Sequence, residues 1–247
     1  MLPRFHAPFT PEAGAVVTLP EEEARHATRV LRLGAGESIA VFDGAGREWR
    51  ARIVAASRSA VRVKLLEPMV PARESRVRLI LLQAVLKGDH MDAVVRDATM
   101  AGAAAIVPVI TSRTIPSSAA AAGRKAPERW KRVALASAKQ CRRAVLPEIV
   151  PAAPLADALS GLGAQSAQLR LLLAEPATGM QARMPSSFAA PPSAALATGP
   201  EGGWSPDELA LLAKSGFVAV TLGALTLRAD AAALVAFSML RALWQDL

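Results

Sequence analysis

Leu196-Ala197-Thr198-Gly199-Pro200-Glu201-Gly202-Gly203-Trp204-Ser205 is the stretch on which the reading of this chain turns. It predicts a buried strand that stops at Gly199, a rigid Gly/Pro turn, and then a helix start. Ser205 stands at the N-cap, Pro206 suits the first helical position, and Glu208, three residues after Ser205, completes a capping box. Three glycines surround one carboxylate, so a flat ligand could approach backbone-first with no Cβ in the way. Gly202 is the position where a branched side chain should obstruct that approach. Taken alone, the loop is also what a plain tight turn between strand and helix looks like.

Working outward, the neighbouring segments repeat the same grammar. Val77 to Val85 and Ala105 to Ile110 are near-continuous apolar runs, the mark of strands buried on both faces of a parallel sheet. Between them Lys87-Gly88 turns into a helix capped by Asp89 and stopped by Gly102, which makes a βαβ unit. Ser117 to Gly123 reads as a loop, and a helix from Pro127 carries a stripe of Trp130, Val133, Ala134, Ser137 and Cys141. Leu169 to Ala174 is another buried strand, followed by Glu175-Pro176. Asp207 to Lys214 is helical, Phe217 to Leu222 is a strand, and Ala229 to Trp244 is a final apolar helix. Residues 73–247 therefore predict an α/β domain with a mainly parallel sheet. Three strand ends line up in it: Ala174-Glu175-Pro176, Gly199 to Gly203, and Leu222-Gly223-Ala224-Leu225-Thr226-Leu227-Arg228. Ligands of open parallel sheets sit at the carboxyl ends of the strands. Neither a glycine-triplet dinucleotide fingerprint nor a Walker A loop is present.

The first 72 residues read differently. Short strands (Ala15 to Leu19, Ser38 to Phe42, Glu48 to Ala55, Val61 to Leu66) surround one helix opened by Pro20-Glu21-Glu22-Glu23 and ended by Gly34. Val61, Val63 and Leu65 alternate with Arg62 and Lys64, giving one buried and one basic face. Arg25, Arg29 and Arg32 fall at i, i+4 and i+7 and share a helix face. This is a small β-barrel-like domain, suited to RNA docking or carrying ordinary surface charge.

The formal net charge of +8 on 247 residues is unevenly spread. Between Arg124 and Arg143 eight basic residues (Arg124, Lys125, Arg129, Lys131, Arg132, Lys139, Arg142, Arg143) face one acid, Glu128, a net of +7. One-sign clustering favours a polyanionic partner, nucleic acid above all, over a solvated helix face. The single cysteine, Cys141, excludes an intramolecular disulfide and favours a reducing, cytoplasmic setting. His6, His26 and His90 lack metal-ligand spacing, no signal peptide opens the chain, and no apolar run is long enough to span a membrane.

With these motifs in hand the chain resembles, almost end to end, the bacterial small-subunit (16S) ribosomal RNA uracil-N3 methyltransferases, the RsmE family of the SPOUT class. The resemblance is carried by His26-Ala27-Thr28-Arg29-Val30-Leu31-Arg32, Phe42-Asp43-Gly44, Lys87-Gly88, Arg129-Trp130, Gln140 with Arg143, Pro147-Glu148-Ile149, Gly199-Pro200-Glu201-Gly202-Gly203, and Leu222-Gly223 with Leu227-Arg228. It implies a PUA-like RNA-binding barrel over 1–72 and, over 73–247, an α/β domain tied in a trefoil knot. It also implies a homodimer, S-adenosylmethionine as cofactor, no metal, and ribosomal RNA or an assembled 30S subunit as partner. The cofactor would lie against Leu173, Ala174, Glu175, Gly199, Pro200, Glu201, Gly202, Leu222, Gly223, Leu225 and Leu227. RNA would meet Arg25, Arg29, Arg32, Arg129, Arg132, Arg142 and Arg143. Arg228 is the candidate catalytic group, a cation for charge developing on uracil as N3 loses its proton; pairing with a carboxylate or a phosphate is its alternative role.

The chain departs from the family pattern at several positions. Asp97, Met100 and Ala101 stand where Lys, Glu and Leu are usual. Ala224 replaces a proline, Arg142 a glycine, and Asp230 a glutamate two residues after Arg228. These changes make a catalytically weak RNA-binding or ribosome-assembly protein the alternative function. A small-molecule enzyme on the same α/β site is disfavoured by the basic helix and the N-terminal domain.

Overall fold

A computed structural model describes residues 2–9, 12–57, 59–123, 125–161, 167–175 and 189–246. Arg124 and Pro176 lie outside the described residues. The chain forms two compact units: Met1–Glu74 with Ala138–Leu146, and Ser75–Ser137 with Pro147–Leu247.

In the first unit five strands form one sheet, in the order β1 (Arg4–His6), β3 (Ser38–Phe42), β4 (Glu48–Ala56), β5 (Val61–Met69), β2 (Val16–Thr18). Alternation drives it: Val61, Val63 and Leu65 of β5 are buried beside Ile39, Val41, Ala51 and Ile53, while Arg62 and Lys64 face out. The Pro20 helix is shorter than its acidic opening suggests. α1 (Glu21–Arg25) passes into a π-helical segment (His26–Val30), and Arg32 takes a left-handed φ of 55° with the Leu33 N–H closing on the Ala27 carbonyl. The expected common helix face of Arg25, Arg29 and Arg32 is therefore broken. The π turn widens the spacing, and Arg32, rather than Gly34, ends the helix. Arg4, almost fully buried, joins Ala138–Leu146 to this unit. Its Nε bonds the Glu48 carboxylate at 2.8 Å, and its other nitrogens cap the carbonyls of Ala138 (3.1 Å), Lys139 (3.2 Å) and Arg143 (3.1 Å). A buried cation at carbonyls near a helix end satisfies acceptors that the helix itself cannot.

In the second unit every strand pairing is parallel. The order is β12 (Val218–Val220), β10 (Leu169–Leu173), β11 (Ser193–Thr198), β6 (Arg78–Ala84), β7 (Ala103–Ile110), β8 (Glu148–Ile149), with β9 (Ala153–Pro154) also on β7. Leu79 and Leu81 pack to one side of β6 and Ile80 and Leu82 to the other, so both faces need cover. On one face lie α2 (His90–Met100), α4 (Ala126–Cys141) and α7 (Ala229–Leu243), through residues such as Met91, Trp130 and Phe237. On the other lie α5 (Leu155–Ser160) and α6 (Pro206–Lys214), through Leu155, Leu159 and Leu212. The segment expected to be a loop contains α3 (Pro116–Ala121): Pro116 presets the first helical φ and the alanines continue it. Asp89 stands at the N-cap of α2 but makes no capping bond, because its carboxylate is turned to Arg129 at 2.8 Å. No described helix is long and apolar enough to cross a membrane.

Candidate active site

The carboxyl ends of β6, β7, β10, β11 and β12 all point one way, and the loops leaving them are stitched together. The capping box forms: the Glu208 N–H donates to Ser205 Oγ at 3.3 Å, and the Ser205 N–H donates to the Glu208 carboxylate at 2.9 Å. The other oxygen of that carboxylate accepts the Ser112 N–H at 2.6 Å, tying the start of α6 to the loop after β7. From the same loop Arg113 donates to the Gly202 carbonyl at 2.7 Å, and the Lys87 N–H, after β6, donates to the Glu201 carboxylate at 3.0 Å. Trp204 donates its indole N–H to the Leu173 carbonyl at 3.3 Å and lies under Gly199, where a Cβ would sit 3.1 Å from the indole nitrogen. Gly203 holds a left-handed φ of +70°, with Glu175 Oε1 at 2.9 Å from where its Cβ would be. The left-handed backbone thus lies at Gly203, one residue after the position that the sequence singles out for ligand approach. Gly202 has no left-handed φ and room for a Cβ at ordinary contact distance from Arg113.

These loops enclose a cavity of about 500 Å³. Leu173, Ala174, Glu175, Gly199, Pro200, Glu201, Gly202, Leu222, Leu225 and Leu227 all line it, as does Arg228; Gly223 does not. His90, Arg113, Thr198, Gly203 and Trp204 also line it, and sequence reasoning missed them. Two of these were within reach of the strand-end rule, since His90 follows β6 and Arg113 follows β7.

At the mouth, Arg228 grips Asp230 with two nitrogens, Nε at 3.1 Å and Nη2 at 3.0 Å. Although one methylene shorter than a glutamate, Asp230 reaches its partner, and His90 Nδ1 lies 2.9 Å from its Oδ2. Burial alone would raise the Asp230 carboxyl, but the hydrogen bonds and charges of Arg228 and His90 outweigh it and hold it below the ordinary carboxylate value. Pairing with a carboxylate, one of the two roles weighed for Arg228, is thus realised in this geometry.

The expected RNA contacts divide. Arg25, Arg29, Arg32 and Arg142 are exposed in the first unit. Arg143, in the same unit, is buried and bonded to Glu74 at 2.7 Å, so its guanidinium is structural rather than available. In the second unit Arg132 is exposed, while Arg129 pairs with both Asp89 and Asp92. Lys139 pairs with Glu23 at 2.8 Å and Lys131 with Glu128 at 2.9 Å. Much of the +7 counted along the chain is cancelled by carboxylates distant in sequence.

A family model described as RNA methyltransferase domain matches residues 73–241, and one described as RNA methyltransferase PUA domain matches residues 19–66. A ribosomal RNA small subunit methyltransferase E from Synechocystis sp. is 33% identical over 242 residues, covering 94% of this chain and 75% of that protein. The chain belongs to this RNA methyltransferase family. A relative of the same description from Mycobacterium bovis is 33% identical over 235 residues, covering 94% of this chain and 88% of its own. Among solved structures, the chain is similar to a ribosomal RNA small subunit methyltransferase E from Neisseria gonorrhoeae bound to S-adenosyl methionine. It superposes with a TM-score of 0.87 at 29% identity and covers 99% of this chain and 98% of its own.

Proposed function

We propose that this chain transfers the methyl group of S-adenosylmethionine to N3 of a uracil in small-subunit (16S) ribosomal RNA. The observation that carries the reading is the single cavity into which the glycine loop, Glu175, the Leu222–Leu227 segment and Arg228 converge at the carboxyl ends of parallel strands. Its volume lies within the range of small-molecule sites. The lining suits the cofactor chemically. Gly199 and Gly203 set no side chain between the backbone and an adenine edge, Leu173, Leu222, Leu225 and Leu227 supply apolar walls, and Glu175 adds a carboxylate to the lining. When bound, the cofactor supplies an activated methyl on a sulfonium.

The protein's part is chiefly positioning, since methyl transfer from a sulfonium needs in-line geometry more than a covalent intermediate. Among the described residues Arg228 Nη1 bonds nothing, so this nitrogen is the one assigned to a uracil oxygen or an adjacent phosphate, while Nε and Nη2 hold Asp230. A donor there stabilises charge as it develops on the base. Arg29, Arg32, Arg132 and Arg142 are assigned to the RNA backbone. The reading extends, on family membership, to a trefoil knot in the second unit, a homodimer and the assembled 30S subunit as substrate. It is tested by incubating the protein with ribosomal subunits and methyl-labelled S-adenosylmethionine and mapping the modified base. Label at uracil N3 of the small-subunit RNA is the expected result; label elsewhere, or none, overturns it.

A further inference from the structure

We propose that His90 is the general base that takes the N3 proton, with Asp230 as its positioning residue. The inference rests on the methyl-transfer reading above and goes beyond it. His90 opens α2 directly after the β6 loop and lines the cavity together with Arg228 and Asp230. Two groups crowd its Nδ1: Asp230 Oδ2 at 2.9 Å and Arg228 Nη2 at 3.3 Å. They make opposite demands, because a guanidinium can only donate and an ionised carboxylate can only accept. The closer partner is the carboxylate, and a bare Nδ1 would set lone pair against lone pair at 2.9 Å. The proton therefore sits on Nδ1, donated to Asp230, and the Arg228 nitrogen is satisfied by the same carboxylate at 3.0 Å. In the neutral ring this leaves Nε2 with a lone pair. A carboxylate that fixes the tautomer and then stabilises the imidazolium is the arrangement general bases use.

The other charges around His90 are accounted for. Asp89 at the N-cap and Asp92 and Arg96 on α2 flank it, and Arg129 of α4 pairs with both aspartates, which leaves one net negative charge on that side of the ring. Arg96 is paired with Asp97 at 2.7 Å. Asp230 is thus the carboxylate in direct contact with the ring. In the step itself the N3 proton passes to Nε2 and the N3 lone pair forms the bond to the methyl carbon. The carbon–sulfur bond breaks with its electron pair going to sulfur, and the imidazolium afterwards releases its proton to water.

The test uses the full-length protein, ribosomal subunits and three readouts. In single turnover, His90→Gln should be slower by about 10²- to 10⁴-fold, the usual contribution of a positioned base. Its rate should keep rising with pH where the unaltered protein has levelled off. S-adenosylmethionine affinity by calorimetry should change less than about twofold, since the acceptor side is what is lost. Independently of activity, ¹⁵N NMR of the imidazoles should show His90 protonated at Nδ1, assigned by the signal missing in His90→Gln, with Asp230→Asn weakening that preference. A His90→Gln rate within about threefold of the unaltered protein, or an Nε2-protonated His90, overturns the proposal while leaving the methyltransferase reading intact. Absence of both cofactor binding and methyl transfer in the unaltered protein overturns that reading, and this proposal with it.

Discussion

Replacing Gly203 by alanine tests the glycine loop where the structure is most demanding. At φ +70° a residue with a Cβ is held in the left-handed region at a cost of about 1–2 kcal/mol. The new Cβ would also stand 2.9 Å from Glu175 Oε1. That oxygen ends a flexible side chain, so the clash is relieved by a small shift, and the shift moves a group that lines the cavity. If the whole strain falls on the loop conformation that accepts the ligand, affinity should drop about 5- to 30-fold, the factor that this energy represents. Gly202→Ala is the control: its Cβ would meet Arg113 Cβ at 3.4 Å, an ordinary contact, with no left-handed φ. Calorimetric titration with S-adenosylmethionine, beside urea denaturation of each variant, separates binding from folding. Equal affinity for Gly203→Ala and the unaltered protein, or an equal loss in Gly202→Ala, would refute the assignment of the strained position.

Three further outcomes are expected. Arg132→Ala with Arg142→Ala should lower the slope of log affinity for RNA against log salt by about 0.7–0.9 for each phosphate no longer neutralised, whereas Arg143→Ala should act on stability, because its guanidinium is committed to Glu74; filter binding over a salt series checks both. Arg4→Ala removes one member of a nearly fully buried pair and should destabilise by about 3–5 kcal/mol on denaturation. Burial would raise the Asp43 carboxyl, but N–H donors of Arg47 and Ala45 and the Arg47 guanidinium hold it below its ordinary value. A lowered folded value means stabilisation that is present above the unfolded value and lost as pH falls through the folded one, so the deficit of Asp43→Asn should shrink from about pH 5 downward in denaturation curves.

Much of the architecture was legible because it rests on local chemistry. The apolar runs over β6, β7, β10 and β11 could only be strands covered on both faces, and Ser205 with Glu208 marked the start of α6 by residue type and spacing alone. The strand-end loops could be named as a site from topology alone, and ten of the eleven residues assigned to the cofactor line one cavity. What sequence could not supply was pairing at long range. Eight cations against one acid looked like an open polyanion site until Asp89, Asp92, Glu23 and Glu74 arrived from elsewhere in the chain. Periodicity put Arg32 on a helix that a π turn had already ended. His90 carried no motif; it became a candidate only when α7 brought Asp230 to 2.9 Å from it. Backbone preference and burial are written residue by residue, so the elements and their order are in the sequence. The pairing of charges depends on which segments the fold sets side by side, and that is decided only in three dimensions.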